Sequence, residues 1–254
     1  MPPAHRISIF PDPSSVARAL AGRIAVALRA NPTLVLGLPT GRTPLLLYEE
    51  LVKLYSAGQA DFSRTTTFNL DEFVGIPASH PGSYRSFMQR HLFDHVNIDP
   101  ANVHVLDGRA PDTAAEGCRY EKAIVEAGGI DLQILGIGTN GHIGFNEPGP
   151  ALEARTHRVT LKAETRRSNA ALFGGDTAAV PLEALSMGMA TILHARSIVL
   201  VATGERKAPC VRKLVLGSIT TDLPASFLQV HDEVEIMLDE GAAGRLTASP
   251  RAAP

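Results

Sequence analysis

Apolar residues recur along the chain in two rhythms. Arg6 to Phe10 alternates residue by residue, the period of a short strand. From Val16 to Leu28 the apolar positions return every three to four residues among many alanines, which predicts a helix. Asp12-Pro13-Ser14-Ser15 is its start signal. Thr33–Leu38, Thr65–Leu70, the run from Ile130 into Gly136, and Ser197–Ala202 are short and apolar without alternation, as strands buried on both faces are. Val103–Leu106 and Val234–Leu238 add two further strands. Between them, Leu47, Leu51, Leu54 and Tyr55 share a helix face, with Pro44 at the first helical position and Thr43 as its cap. Helices are also expected over Ser83–Phe93, over Ala114–Ala127, and from Lys207 to about Leu216. Strands alternating with helices predict an α/β fold: a doubly wound, mostly parallel sheet with helices on both faces, Rossmann-like. One domain is expected over residues 1–240. Within it, 149–179 is polar, carries Arg155, Arg158, Arg166 and Arg167, and has no convincing strand. It reads as a lid beside a site or as a solvated surface excursion. Residues 241–254, rich in Ala, Gly and Pro, are expected to be a disordered tail.

Composition narrows the class. A chain of 254 residues with 44% hydrophobic and 20% charged residues is an ordinary globular protein. A net charge of −2 gives no broad electrostatic case for nucleic acid or an anionic membrane. No apolar run approaches the roughly 18 residues that span a bilayer, and Met1-Pro2-Pro3-Ala4-His5-Arg6 lacks a signal-peptide core. The two cysteines, Cys118 and Cys210, have no metal-like spacing and read as plain helix residues, so neither a metal site nor a disulfide is expected and a cytoplasmic location is the default.

The chemistry gathers at strand ends. After Ile130–Leu135 the chain breaks into Gly136, Gly138, Gly141 and Gly144, with Asn140, His142 and Glu147 among and after them. Glycines at a strand's carboxyl end let backbone approach a ligand, and in an open α/β sheet that edge is where ligands bind. A His and a Glu five residues on suggest proton transfer; the plain alternative is a tight turn. Thr40-Gly41-Arg42-Thr43 joins a strand to a helix N-terminus, where free N–H groups suit a phosphate, although an empty turn has the same form. Asp71-Glu72 closes another strand, as a base or merely a cap, and Lys207 lies just past a fourth. Met187 and Met189 read as core fillers, His91 and His95 as helix-end residues.

Four pieces together carry a resemblance: Gly37-Leu38-Pro39-Thr40-Gly41, Phe68-Asn69-Leu70-Asp71-Glu72-Phe73-Val74-Gly75, His80-Pro81-Gly82-Ser83-Tyr84, and Gly136-Ile137-Gly138-Thr139-Asn140-Gly141-His142-Ile143-Gly144-Phe145-Asn146-Glu147-Pro148. The chain resembles the glucosamine-6-phosphate deaminases, in the wider group that includes 6-phosphogluconolactonase, from about Leu34 to Leu238. The resemblance implies conversion of glucosamine 6-phosphate and water to fructose 6-phosphate and ammonia without cofactor or metal. It implies His142 as the ring-opening proton carrier, Glu147 and Asn140 as the groups that orient it, and Asp71 as the base at C2. Thr40, Gly41, Arg42, Thr43, Gly136, Gly138 and Lys207 would bind the substrate and its phosphate. The partner expected is this small sugar phosphate, and a homo-oligomer is left open.

Departures from the family pattern qualify this. Many members have Asp at Asn140, and Gly or Ser at Arg42. Many carry a phosphate-site Arg where this chain has Ala171. Allosterically activated bacterial members carry a Ser pair and basic residues where Pro150, Ala151, His157 and Val159 stand here. Rival activities are deamination of another amino sugar 6-phosphate, such as galactosamine 6-phosphate, and lactone hydrolysis. Asp71-Glu72 and Asn146-Glu147-Pro148 favour a deaminase over a lactonase. A non-catalytic sugar-phosphate sensor would need a DNA-binding module, and the stretch before Leu34 reads as only one strand and one helix.

Overall fold

The computed structural model describes residues 6–246. The chain runs β1 (Arg6–Phe10), α1 (Pro13–Ala30), β2 (Val35–Leu38), α2 (Leu45–Ser56), β3 (Thr66–Asn69), β4 (Asp71–Phe73), α3 (Tyr84–His91), β5 (Val103–His104) and α4 (Thr113–Glu126). It continues through β6 (Leu132–Gly136), β7 (His157–Thr160), α5 (Ala163–Asn169), β8 (Glu183–Ser186), α6 (Met189–Leu193), β9 (Ser197–Ala202), α7 (Ala208–Leu216), β10 (Val234–Asp239) and α8 (Glu240–Ala243). Helix starts follow side-chain chemistry: Asp12 accepts from Ser15 N–H at 2.7 Å to begin α1, and Ser83 accepts from Ser86 N–H at 3.0 Å to begin α3. At α2 the expectation is off by one residue. Pro44, not Thr43, occupies the cap position, and no side chain caps the helix.

The apolar runs form a seven-stranded sheet in the order β1-β10-β9-β6-β2-β3-β5, with every pairing parallel. Their lack of alternation is explained by two cores, one on each face. Leu36, Leu38, Ile134 and Val199 meet α1, α2 and α3 through Leu20, Ile24, Leu51 and Met88. Val35, Phe68, Leu135 and Leu200 meet α4, α6 and α7 through Tyr120, Ile192, Val211 and Leu214. Met187 and Met189 fill the second core, and Cys118 and Cys210 are helix residues, as expected. Strand order reverses between β2 and β6, because β3 and β5 lie on one side and β9 and β10 on the other. Such a reversal opens a crevice at the carboxyl edge.

Two expectations need correction. Residues 149–179 do contain a strand. β7 pairs with β8 and β8 with β4 in a small antiparallel sheet, over a third core of Phe73, Tyr84, Phe145, Phe173 and Val180. Its sequence, His157-Arg158-Val159-Thr160, is too short and polar to display a strand period. Second, order continues past 240: α8 and the turn after it reach residue 246, with Ala242 and Ala243 buried. The rest of the expected tail lies outside the described residues.

Candidate active site

Because the sheet is parallel, β9, β6, β2 and β3, which are neighbours, bring their carboxyl ends to one edge. The Thr40–Thr43 loop, Asp71, the 137–148 loop and Lys207 therefore converge on the crevice.

The loop after β6 folds on itself. Gly138 N–H donates to the His142 carbonyl at 2.9 Å, and Gly141 N–H to the Gly138 carbonyl at 3.0 Å. The His142 ring lies over Gly138, where an added Cβ would stand 2.4 Å from Cε1, so only glycine leaves room for it. The loop is pinned to β8: Asn146 Nδ2 donates to the Ile143 and Met187 carbonyls at 2.9 and 2.8 Å, and Phe145 N–H to Ser186 Oγ at 3.0 Å. This presents Glu147 to His142, with Oε2 3.6 Å from Nδ1. The same oxygen accepts from Asn140 Nδ2 at 2.9 Å, while Asn140 Oδ1 accepts from His142 N–H at 3.2 Å. The Thr165 hydroxyl, from α5, donates to Glu147 Oε1. Burial alone would raise the Glu147 pKa, but contacts with His142, Thr165 and Asn140 outweigh it and hold the group down at about 2. Glu147 is thus a fixed anion behind the imidazole.

Asp71 has the opposite character. It is buried, its Oδ1 has no hydrogen-bond partner among the described residues, and its pKa is pushed up to about 8. Desolvation is the main cause and the neighbouring Glu72 carboxylate the second; a Thr40 hydrogen bond opposes them. Glu72 itself is occupied, accepting from the N–H groups of Phe73, Tyr84 and Arg85 at 2.8, 2.9 and 2.9 Å, so it binds β4 to the first turn of α3. Of the acidic pair, only Asp71 is available for proton transfer.

On the other side of the crevice, the Tyr48 hydroxyl donates to the Pro39 carbonyl and fixes the loop that carries Thr40, Gly41, Arg42 and Thr43. Arg42 is exposed. Lys207 is half-buried, and its Nζ donates to the Ile137 carbonyl at 2.6 Å. Burial lowers its pKa, with Cys210 and Glu164 pulling the other way. Gly136 closes β6 beside this loop, with open space where its Cβ would be. Gly138 donates its N–H to the His142 carbonyl, and its missing Cβ leaves room for the imidazole. Arg166 braces its own segment, donating to the Thr177 and Val180 carbonyls at 2.8 and 3.2 Å, and Arg167 is exposed. Thr165 was not among the residues the sequence singled out; a threonine in a polar segment carries no signal of what it will meet. Among the described residues, no group of three or more His, Cys, Asp or Glu could hold a metal ion, and no helix is long and apolar enough to cross a membrane.

A sequence model of the family described as glucosamine-6-phosphate isomerases/6-phosphogluconolactonase matches residues 12–237. The chain belongs to this family. It is 50% identical over 223 residues to glucosamine-6-phosphate deaminase 2 of Bacillus subtilis (strain 168), covering 87% of this chain and 90% of that one. It is 49% identical over 240 residues to the glucosamine-6-phosphate deaminase of Rhodopirellula baltica, covering 94% and 95%. Among solved structures, a monomeric glucosamine-6-phosphate deaminase superposes with a TM-score of 0.90 at 40% identity, covering 94% of this chain and 99% of that one. The 6-phosphogluconolactonase of Trypanosoma cruzi superposes at 0.76 with 21% identity, covering 98% and 99%, a likeness of fold. The family's two named activities share this scaffold, so the choice between them rests on the side chains at the crevice.

Proposed function

We propose that the protein is a glucosamine-6-phosphate deaminase, converting glucosamine 6-phosphate and water to fructose 6-phosphate and ammonia. The observation that carries this is the pairing, across one crevice, of a buried carboxyl group of raised pKa with an imidazole backed by a permanently ionised carboxylate. An aldose–ketose isomerisation needs both: one group to move a proton between oxygens, and one to move a proton between carbons. His142, oriented by Glu147 and Asn140, transfers a proton between the ring oxygen and the anomeric hydroxyl and opens the ring. Asp71 takes the C2 proton, forming an enol-type intermediate, and returns a proton at C1. The imine left at C2 adds water and releases ammonia. Lys207 and the loop Thr40–Thr43, with Gly136 beside it, hold the phosphate, and this remote binding aligns C1 and C2 with Asp71. The relatives at about half identity are named for this activity, which supports the reading. The Asp71-Glu72 pair and Asn146-Glu147-Pro148 favour it over lactone hydrolysis.

The test is simultaneous detection of ammonia and fructose 6-phosphate with a panel of amino sugar 6-phosphates, and of acid release from 6-phosphogluconolactone. Stoichiometric ammonia and ketose from the glucosamine epimer is the expected result. Lactone hydrolysis without ammonia release overturns the proposal.

A further inference from the structure

The polar segment after the 137–148 loop does more than cover the crevice. The start of α5 grips that loop at three points. Lys162 Nζ donates to the Pro148 carbonyl at 2.5 Å, Thr139 Oγ1 donates to Glu164 Oε1 at 2.9 Å, and the Thr165 hydroxyl donates to Glu147 Oε1. The far end of the helix is also tied down. The Tyr84 hydroxyl, on α3, donates to Asn169 Oδ1 at 3.0 Å, and Asn169 Nδ2 donates to the Thr165 carbonyl at 2.9 Å. Thr165 is buried at 2% exposure, so no bulk water competes for its hydroxyl.

A carboxylate that must face an imidazole has a free torsion, and something must fix it. Asn140 and His142 both lie on the Oε2 side of Glu147; Thr165 is the partner on Oε1. The 3.6 Å between Oε2 and His142 Nδ1 is longer than a hydrogen bond, so a small swing of the carboxylate decides whether that contact forms. We propose that Thr165 is a positioning residue of the proton-transfer pair, its hydroxyl holding Glu147 Oε1 so that Oε2 is aimed at His142. Ring opening thereby depends on the seating of α5 over the loop. This rests on the reading above that His142 and Glu147 act together.

Three variants and a coupling measurement test it. Thr165→Val keeps the shape and removes the hydroxyl; Thr165→Ser keeps the hydroxyl and removes the methyl. The valine variant is expected to lose about 10- to 100-fold in kcat with KM within about twofold, and the serine variant to stay within about threefold of wild type. On a Glu147→Gln background the valine change is expected to cost less than about twofold further, since it acts through that carboxylate. Should the valine variant not fold, Thr165→Ala enters the same cycle. An NMR spectrum of the His142 imidazole nitrogens, altered in the valine variant and restored in the serine one, reads the same positioning without turnover. It decides the matter even if the wild type releases no ammonia, an outcome that would sink the functional reading alone. Full activity in the valine variant, equal losses in valine and serine, an undiminished loss on the glutamine background, or imidazole signals that do not move would each overturn the assignment.

Discussion

A carboxyl group buried beside a second carboxylate resists ionisation, and Asp71 stands in that position. Its pKa of about 8 against an ordinary 3.8 has two consequences of opposite use. As the base proposed above it must be deprotonated, so kcat/KM is expected to rise with pH and level off above about 8, with the limb set by Asp71 because Glu147, at about 2, stays ionised throughout. As a buried group it favours the proton in the native state. Its contribution to folding stability therefore falls as pH climbs from 3.8 to about 8, the window in which the unfolded chain has ionised and the native one has not. Asp71→Asn should cut turnover by several orders of magnitude, leave phosphate binding largely intact, and flatten that stability slope. A variant with near-wild-type turnover would remove Asp71 from the mechanism. Arg42 is the other residue to test. With Arg166 bound to its own segment and Ala171 uncharged, Arg42→Ala should lower kcat/KM by about 10- to 100-fold, mostly through KM. A change below about twofold would assign the phosphate charge to Lys207 and Arg167. The placing of Asp71, His142 and Glu147 at one sheet edge could be read from sequence because polar residues interrupt an apolar run at a strand's carboxyl end. Thr165 and the clamping part of Glu72 could not, since each is defined by a partner that only the tertiary fold supplies.

At the scale of elements, the loop after β6 does its work by close packing. Gly138 leaves no gap beneath the imidazole: a methyl group there would stand 2.4 Å from His142 Cε1, and the ring would have to move. Gly138→Ala is therefore expected to lower kcat by about 100-fold or more, the effect of displacing the proposed proton carrier by about an ångström. Its melting temperature should fall only slightly, because the loop's backbone anchors to β8 through Asn146 and Ser186 remain. Equal losses of activity and stability would mean that the loop itself collapses. Long runs with a clear period, such as α1, α4 and β9, were recognised within a residue or two. The small sheet of β4, β7 and β8 was not. Its strands have three or four residues each, and β4 pairs with β8 far along the chain, Asp71 opposite Ser186, so neither period nor neighbourhood reveals them.

At the scale of the whole molecule, regulation by a distant ligand requires an element with two packings whose balance both sites shift. The segment leading into β7, where an activator site would adjoin, is packed closely against α4 and the start of α6. Glu121 on α4 accepts from both the N–H and the hydroxyl of Thr156 at 2.7 Å and from the Thr191 hydroxyl at 2.5 Å. A Cβ on Gly117 would stand 2.7 Å from the Thr156 carbonyl, and one on Gly188 2.3 Å from the Arg155 carbonyl, so α4 and the start of α6 meet that segment backbone to backbone. Pro150, Ala151, His157 and Val159 also lack the serine hydroxyls and the cationic cluster that would draw a phosphate there. Saturation by glucosamine 6-phosphate is therefore expected to be hyperbolic, and N-acetylglucosamine 6-phosphate to act at most as a weak competitor at the crevice. Initial rates over a wide substrate range, with and without that ligand, check this. A sigmoidal curve that the ligand straightens would require a second packing of the β7 segment and a coupling between two sites that the Glu121 anchor argues against.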